Sequence, residues 1–134
     1  GYTYMTLDDR EKRLDSIRDL IDMHAYLAEE GIIDGENVAV AGGSYGGYAV
    51  NAVLANFPGH FTAGVARFGV SDWVSALQIA SPSLKAADII EYGDISKPEW
   101  LTFYKRYSPI RQANNINVPV LNHLINVLYS CHFP

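Results

Sequence analysis

The chain has one cysteine, Cys131, in 134 residues, which excludes an internal disulfide and leaves the redox compartment open. No metal is expected either. Cys131 has His132 beside it and His123 further back, but there is no second cysteine pair and no His-x3-His spacing. Excess basic charge is also missing. Lys and Arg number 10 against 15 Asp and Glu, whereas a phosphate-binding surface needs clustered cations, so nucleic acid is not an expected partner. No apolar run reaches the roughly 18 residues of a membrane span, so no membrane partner is expected. No signal peptide is recognisable, and cytoplasm and export both stay open. The acidic residues are unevenly spread: they crowd residues 1–36, and none follows Glu99.

A hydrophobic content of 49% with 19% charged residues describes an ordinary globular chain, not a disordered one. Repeats, low-complexity tracts and linkers are absent, so one domain is expected. Its organising stretch is Val38-Ala39-Val40-Ala41-Gly42-Gly43-Ser44-Tyr45-Gly46-Gly47-Tyr48-Ala49-Val50. A short apolar run meets glycines around a serine, and an apolar helical pattern follows. Gly42-x-Ser44-x-Gly46 is nucleophile-elbow spacing, in which a strand turns sharply into a helix and presents its serine at the apex. The neighbours two residues away must be small so that strand and helix pass closely. The helix behind the serine aims free N–H groups and its positive dipole end at the site, with the Tyr45 N–H set to receive an oxyanion. The competing reading is a phosphate-binding loop opened by Gly42-Gly43, but no Lys-Ser/Thr pair follows and Gly-x-Gly-x-x-Gly is absent.

Along the chain, Thr6 with Asp8 and Asp9 reads as a helix start. Leu14, Ile17, Ile21, Ala25 and Ala28 then recur at three- and four-residue steps until Gly31 ends the helix. His24 lies near this stripe and reads as a partly buried, hydrogen-bonded histidine. Strands are expected near 38–41, 64–69 and 118–121, the last with Pro119 near its start. A buried helix is expected over Tyr48–Asn56 and stops at Pro58-Gly59. Residues 74–94 are ambiguous, with a short helix from Ser81-Pro82 to near Tyr92-Gly93. Another helix opens at Lys97-Pro98-Glu99 and breaks at Ser108-Pro109. Strand, helix, strand with continuous apolar strands argues for a parallel sheet flanked by helices, an α/β class. In such sheets ligands bind beyond the carboxyl ends of the strands, where Ser44 and Val70–Trp73 both fall.

Gly42-Gly43-Ser44-Tyr45-Gly46-Gly47-Tyr48 resembles the serine motif of the prolyl oligopeptidase family (peptidase family S9), within the α/β-hydrolase fold. Asp15-x3-Asp19, Tyr26-Leu27 and Gly31-Ile32-Ile33-Asp34 lead into it in that family's order. Phe68-Gly69-Val70-Ser71-Asp72-Trp73, Glu91-Tyr92-Gly93-Asp94, Tyr107-Ser108-Pro109 and Val118-Pro119-Val120-Leu121 follow. The resemblance covers roughly residues 12–121 and is specific, because a generic esterase shares neither the doubled glycine with tyrosines nor the Tyr-Ser-Pro segment. It implies hydrolysis of short peptides through an acyl-enzyme on Ser44, without a cofactor. Tyr45 would supply a backbone oxyanion donor. Val70 and Tyr92 would line the pocket for the residue before the cut bond, with ordinary packing as their alternative. Trp73 is either their neighbour or a core tryptophan.

The end of the chain departs from the family. A His-Gly-x-x-Asp-like turn is expected after the last strand, yet residues 122–134 hold no carboxylate, and His123 and His132 come too early for the family's histidine. The resemblance also implies an upstream oxyanion segment and a β-propeller domain, neither of which lies in these residues. The expectation is a partial α/β-hydrolase catalytic domain over 1–134 with a departing tail at 122–134, truncated and inactive by itself. An esterase on the same fold and a non-catalytic fragment or scaffold are the alternatives.

Overall fold

Val, Ala and Gly dominate the three stretches expected as strands: β-branched Val suits a pleated surface, while Gly64 leaves room for Leu54, which a Cβ there would meet at 2.5 Å. The computed structural model describes residues 1–7 and 9–123. Its elements are α1 (Tyr2–Met5), a 3-10 turn (Arg10–Lys12), α2 (Arg13–Glu29), β1 (Ala39–Gly43), α3 (Tyr45–Asn56), β2 (Ala63–Arg67), α4 (Trp73–Ile79), α5 (Pro82–Tyr92), α6 (Pro98–Tyr107), a second 3-10 segment (Pro109–Asn115) and β3 (Val120–His123). The strands form one parallel sheet in the order β1-β2-β3, with Val40 opposite Gly64 and Gly64 opposite Val120. All three end at one edge, where Gly43, Arg67 and His123 stand in line.

Helix α3 connects β1 to β2 and carries the core. Its Val50, Ala52, Val53 and Leu54 are at most 3% exposed, and each fully buried Val or Leu contributes about 1.5–3 kcal/mol. Ile17 of α2 joins them. A strand's side chains alternate between faces. Val40, Ala66 and Val120 turn toward this core, while Ala39, Ala41 and Leu121 lie exposed on the other face.

Several boundaries differ from the sequence expectation. Thr6 does not start the long helix. It ends α1, its hydroxyl donates to the Thr3 carbonyl at 3.2 Å, and α2 begins only at Arg13. The short α1 is itself unexpected, since a single turn leaves no periodicity to read. Gly31, at φ +68°, closes the end of α2 as expected. Strand β2 stops at Arg67 because Phe68 leaves extended backbone at φ +57°. Strand β3 starts at Val120, two residues late: Pro119 has no N–H to donate, although its carbonyl accepts from the Gly64 N–H at 3.0 Å. Helix α4 resolves part of the ambiguous stretch. Asp72 caps it, accepting from the Val74 N–H at 3.1 Å and from the Ser75 hydroxyl at 2.8 Å.

Candidate active site

Ser44 sits between β1 and α3 at φ +56° and ψ −120°, in neither strand nor helix. For a residue with a Cβ this backbone costs about 1–3 kcal/mol, so its surroundings must impose it. They do so through backbone contacts. The Ser44 N–H donates to the Arg67 carbonyl at 2.8 Å, and its own carbonyl accepts from the Tyr48 N–H at 3.1 Å. A Cβ on Gly42 would lie 2.4 Å from the Gly46 carbonyl oxygen, so strand and helix approach as only glycine allows. The matching expectation for Gly46 is corrected: a Cβ there would meet nothing within 4 Å. Space is instead demanded at Gly47, where a Cβ would come 2.7 Å from the Arg67 carbonyl oxygen. Its counterpart is Gly69, where a Cβ would fall 2.3 Å from the Gly47 carbonyl carbon. Gly69 was not singled out from the sequence, although a second glycine just past the second strand was its visible signal.

The Ser44 hydroxyl is exposed and, although it occupies the N-cap position, does not cap α3. Tyr45 opens the helix, in the first turn, where backbone N–H groups have no acceptor within the helix and the dipole is positive. Phe68, just past β2 and next to the elbow, also has positive φ, as Arg10 does elsewhere in the chain. Its N–H donates to the His123 carbonyl at 2.8 Å, and its ring lies 4.9 Å from that of His123. His123 thus stands at the sheet edge that carries Ser44, two strands away. The other described histidines are elsewhere. His24 has Nε2 3.0 Å from the Gly35 carbonyl oxygen, the hydrogen-bonded role expected of it, and His60 lies beside it.

Two of the three expected pocket residues, Trp73 and Tyr92, share one aromatic cluster. Ring centroids step from Tyr45 to Tyr48 at 5.3 Å, to Trp73 at 5.0 Å and to Tyr92 at 4.5 Å. Trp73 and Tyr92 are buried, while Val70 is half-buried against the core. Burial pushes the phenols of Tyr48 and Tyr92 well above the usual tyrosine range, and that of Tyr104 up to about 12.

A charge expected outside the apolar stripe of the long helix stands instead, buried, at the centre of this cluster. Arg13, 1% exposed, donates to the Tyr45 phenol at 2.5 Å and to a Glu91 carboxylate oxygen at 2.9 Å. Its guanidinium carbon lies 4.0 Å from the Tyr92 ring centroid, 5.3 Å from that of Tyr45 and 5.8 Å from that of Trp73. Burial opposes its charge, but Tyr45, Tyr92 and the Glu91 bond outweigh burial and hold its pKa above the ordinary arginine value. No local signal marked it, because its partners are 32 and 78 residues away.

Among the described residues no group of three His, Cys, Asp or Glu is placed to hold a metal, and no helix is long and apolar enough to cross a membrane. Cys131, His132 and nearly all of the tail expected at 122–134 lie outside the described residues.

A parallel sheet, a positive-φ serine on the strand–helix turn and the close glycine contacts are those of the α/β-hydrolase fold. Its superposition on puromycin hydrolase gives a TM-score of 0.79 at 22% identity, covering 91% of this chain and 18% of that one. The prolyl oligopeptidase family model matches residues 1–124, and the chain belongs to that family. It is 32% identical over 107 residues to dipeptidyl peptidase family member 6 of Caenorhabditis elegans, covering 77% of this chain and 14% of that protein. It is 33% identical over 109 residues to dipeptidyl aminopeptidase BIII of Pseudoxanthomonas mexicana, covering 77% and 15%. The chain therefore spans about one seventh of the length of these relatives.

Proposed function

We propose that Ser44 is the nucleophile of a serine peptidase acting on short peptides. The observation that carries this reading is the strained serine, at φ +56°, held on a strand–helix turn with its hydroxyl exposed and not spent on capping. Its oxygen would attack the peptide carbonyl, the Tyr45 N–H would stabilise the resulting oxyanion, and the amine would leave with a proton. Water would then release the acid from the acyl-enzyme. Val70, Trp73 and Tyr92 would border the side chain before the cut bond, with Trp73 and Tyr92 as its aromatic floor. The names of the two sequence relatives, a dipeptidyl peptidase and a dipeptidyl aminopeptidase, support short peptides as the substrate class. The reading needs a histidine base and an orienting acid, and the β-propeller implied by the family stays part of the proposal for the whole protein.

The test is a kinetic series on the full-length protein with a peptide panel and one small ester. Ser44→Ala is expected to lower turnover by roughly three orders of magnitude or more. Stability should hardly change, because an exposed hydroxyl leaves no core cavity. Near-normal turnover in Ser44→Ala would remove the nucleophile assignment. Cleavage of the ester with no peptide cleaved would make the protein an esterase.

A further inference from the structure

Helix α5 (Pro82–Tyr92) carries the expected pocket residue Tyr92 at its C-terminal end. A cavity of about 320 Å³ lies against it, lined by Leu77 and Gln78 of α4 and by Lys85 and Ile89 of α5. Ile90 is 72% exposed. The end of α5 is tied toward the elbow by Tyr92, whose ring lies tilted 4.5 Å from that of Trp73, and by the residue before it, Glu91, bonded to Arg13. The same guanidinium holds the Tyr45 phenol. One buried cation thereby joins three segments far apart in the sequence: the start of α2, the residue after Ser44, and the end of α5.

We propose that Arg13 is a positioning residue that sets substrate selectivity, bridging Tyr45 to Glu91 so that Tyr92 keeps a fixed place relative to Ser44. This rests on Ser44 being the nucleophile. The geometry favours positioning over direct substrate contact, since Arg13 is buried and two of its terminal nitrogens are already engaged. The planar fork and the stacking on Tyr92 are what lysine cannot reproduce, so charge alone does not replace it.

The first arm of the test needs no turnover. Amide exchange is followed in α3 and in residues 82–92 of the full-length protein, as wild type, Arg13→Gln and Glu91→Gln. Loss of a charge-assisted bond predicts exchange on the order of tenfold faster in 82–92 with α3 unchanged. Glu91, whose side chain is 47% exposed, can lose its charge without unfolding the core, so it decides the matter if Arg13→Gln does not fold. The second arm compares kcat and KM for a peptide with a bulky side chain before the cut bond against one with glycine there. Arg13→Gln and Arg13→Lys should raise KM for the bulky peptide on the order of tenfold more than for the glycine peptide. Unchanged exchange over 82–92 in Glu91→Gln, or parallel losses on both peptides, would overturn the proposal. Retained turnover in Ser44→Ala would instead overturn the nucleophile reading, and the exchange arm would still judge the bridge.

Discussion

The elbow and the α4–α6 region hold the two halves of the candidate site by different physics. Around Ser44 the contacts are backbone to backbone: Gly42 against Gly46, Gly47 against Gly69, and the Ser44 N–H on the Arg67 carbonyl. Across Trp73, Tyr92 and Tyr104 side chains make the contacts, through tilted ring pairs, one buried cation and a buried hydroxyl. Backbone packing leaves almost no room for substitution and would give the proposed nucleophile a rigid mount. Side-chain packing can be retuned residue by residue, which would suit the proposed pocket.

The sharpest way to break this contrast is at the glycines. Gly42→Ala should cost about 3 kcal/mol or more, because the new methyl meets backbone that cannot rotate away. Gly46→Ala, four residues on, should instead add up to about 1 kcal/mol, since a helical glycine facing open space only loses unfolded-state entropy on substitution. Urea unfolding of both variants checks the pair. Equal effects would mean that the two glycines are not distinguished by packing.

A smaller effect is expected at Ser108 in the second region. Its buried hydroxyl donates to the Tyr104 carbonyl at 2.6 Å and accepts from the Trp73 N–H at 3.0 Å, joining α6 to the start of α4. Ser108→Ala strands that N–H and should lower stability by about 1–3 kcal/mol in the same unfolding assay. A loss below a few tenths would mean water replaces the hydroxyl.

The smallest effect is pH-dependent. Hydrogen bonds from Ser96 hold the Asp94 carboxyl below its usual 3.8. A depressed folded-state pKa adds stability that is present above the unfolded value and is lost as pH falls through the folded one. The difference in Tm between wild type and Asp94→Asn should therefore shrink from pH 6 to pH 3. A constant difference would show that the turn does not depend on the charge.

The elbow was legible because its information is local. Glycine and serine at fixed spacing define one turn, and Ser44, β1 and α3 lie where that spacing puts them. The resemblance to the prolyl oligopeptidase family likewise agrees with the family match over residues 1–124. Arg13 was not legible, because a charged residue outside an apolar stripe reads as solvent-facing and its burial depends on residues far along the chain. Helix α4 escaped notice because its cap, Asp72, was read only as part of a strand-end motif. Thr6 misled for the opposite reason: a hydroxyl before acids is a good local signal, but the chain used it to close α1.

The central claim is that Ser44 carries the acyl group, and trapping that group tests it most directly. The full-length protein is incubated with a peptide ester, quenched in acid during turnover and examined by intact and fragment mass spectrometry. The expected result is one acyl adduct on Ser44, absent from Ser44→Ala. Turnover that continues with the adduct on another residue, or with no adduct and no loss in Ser44→Ala, would contradict it.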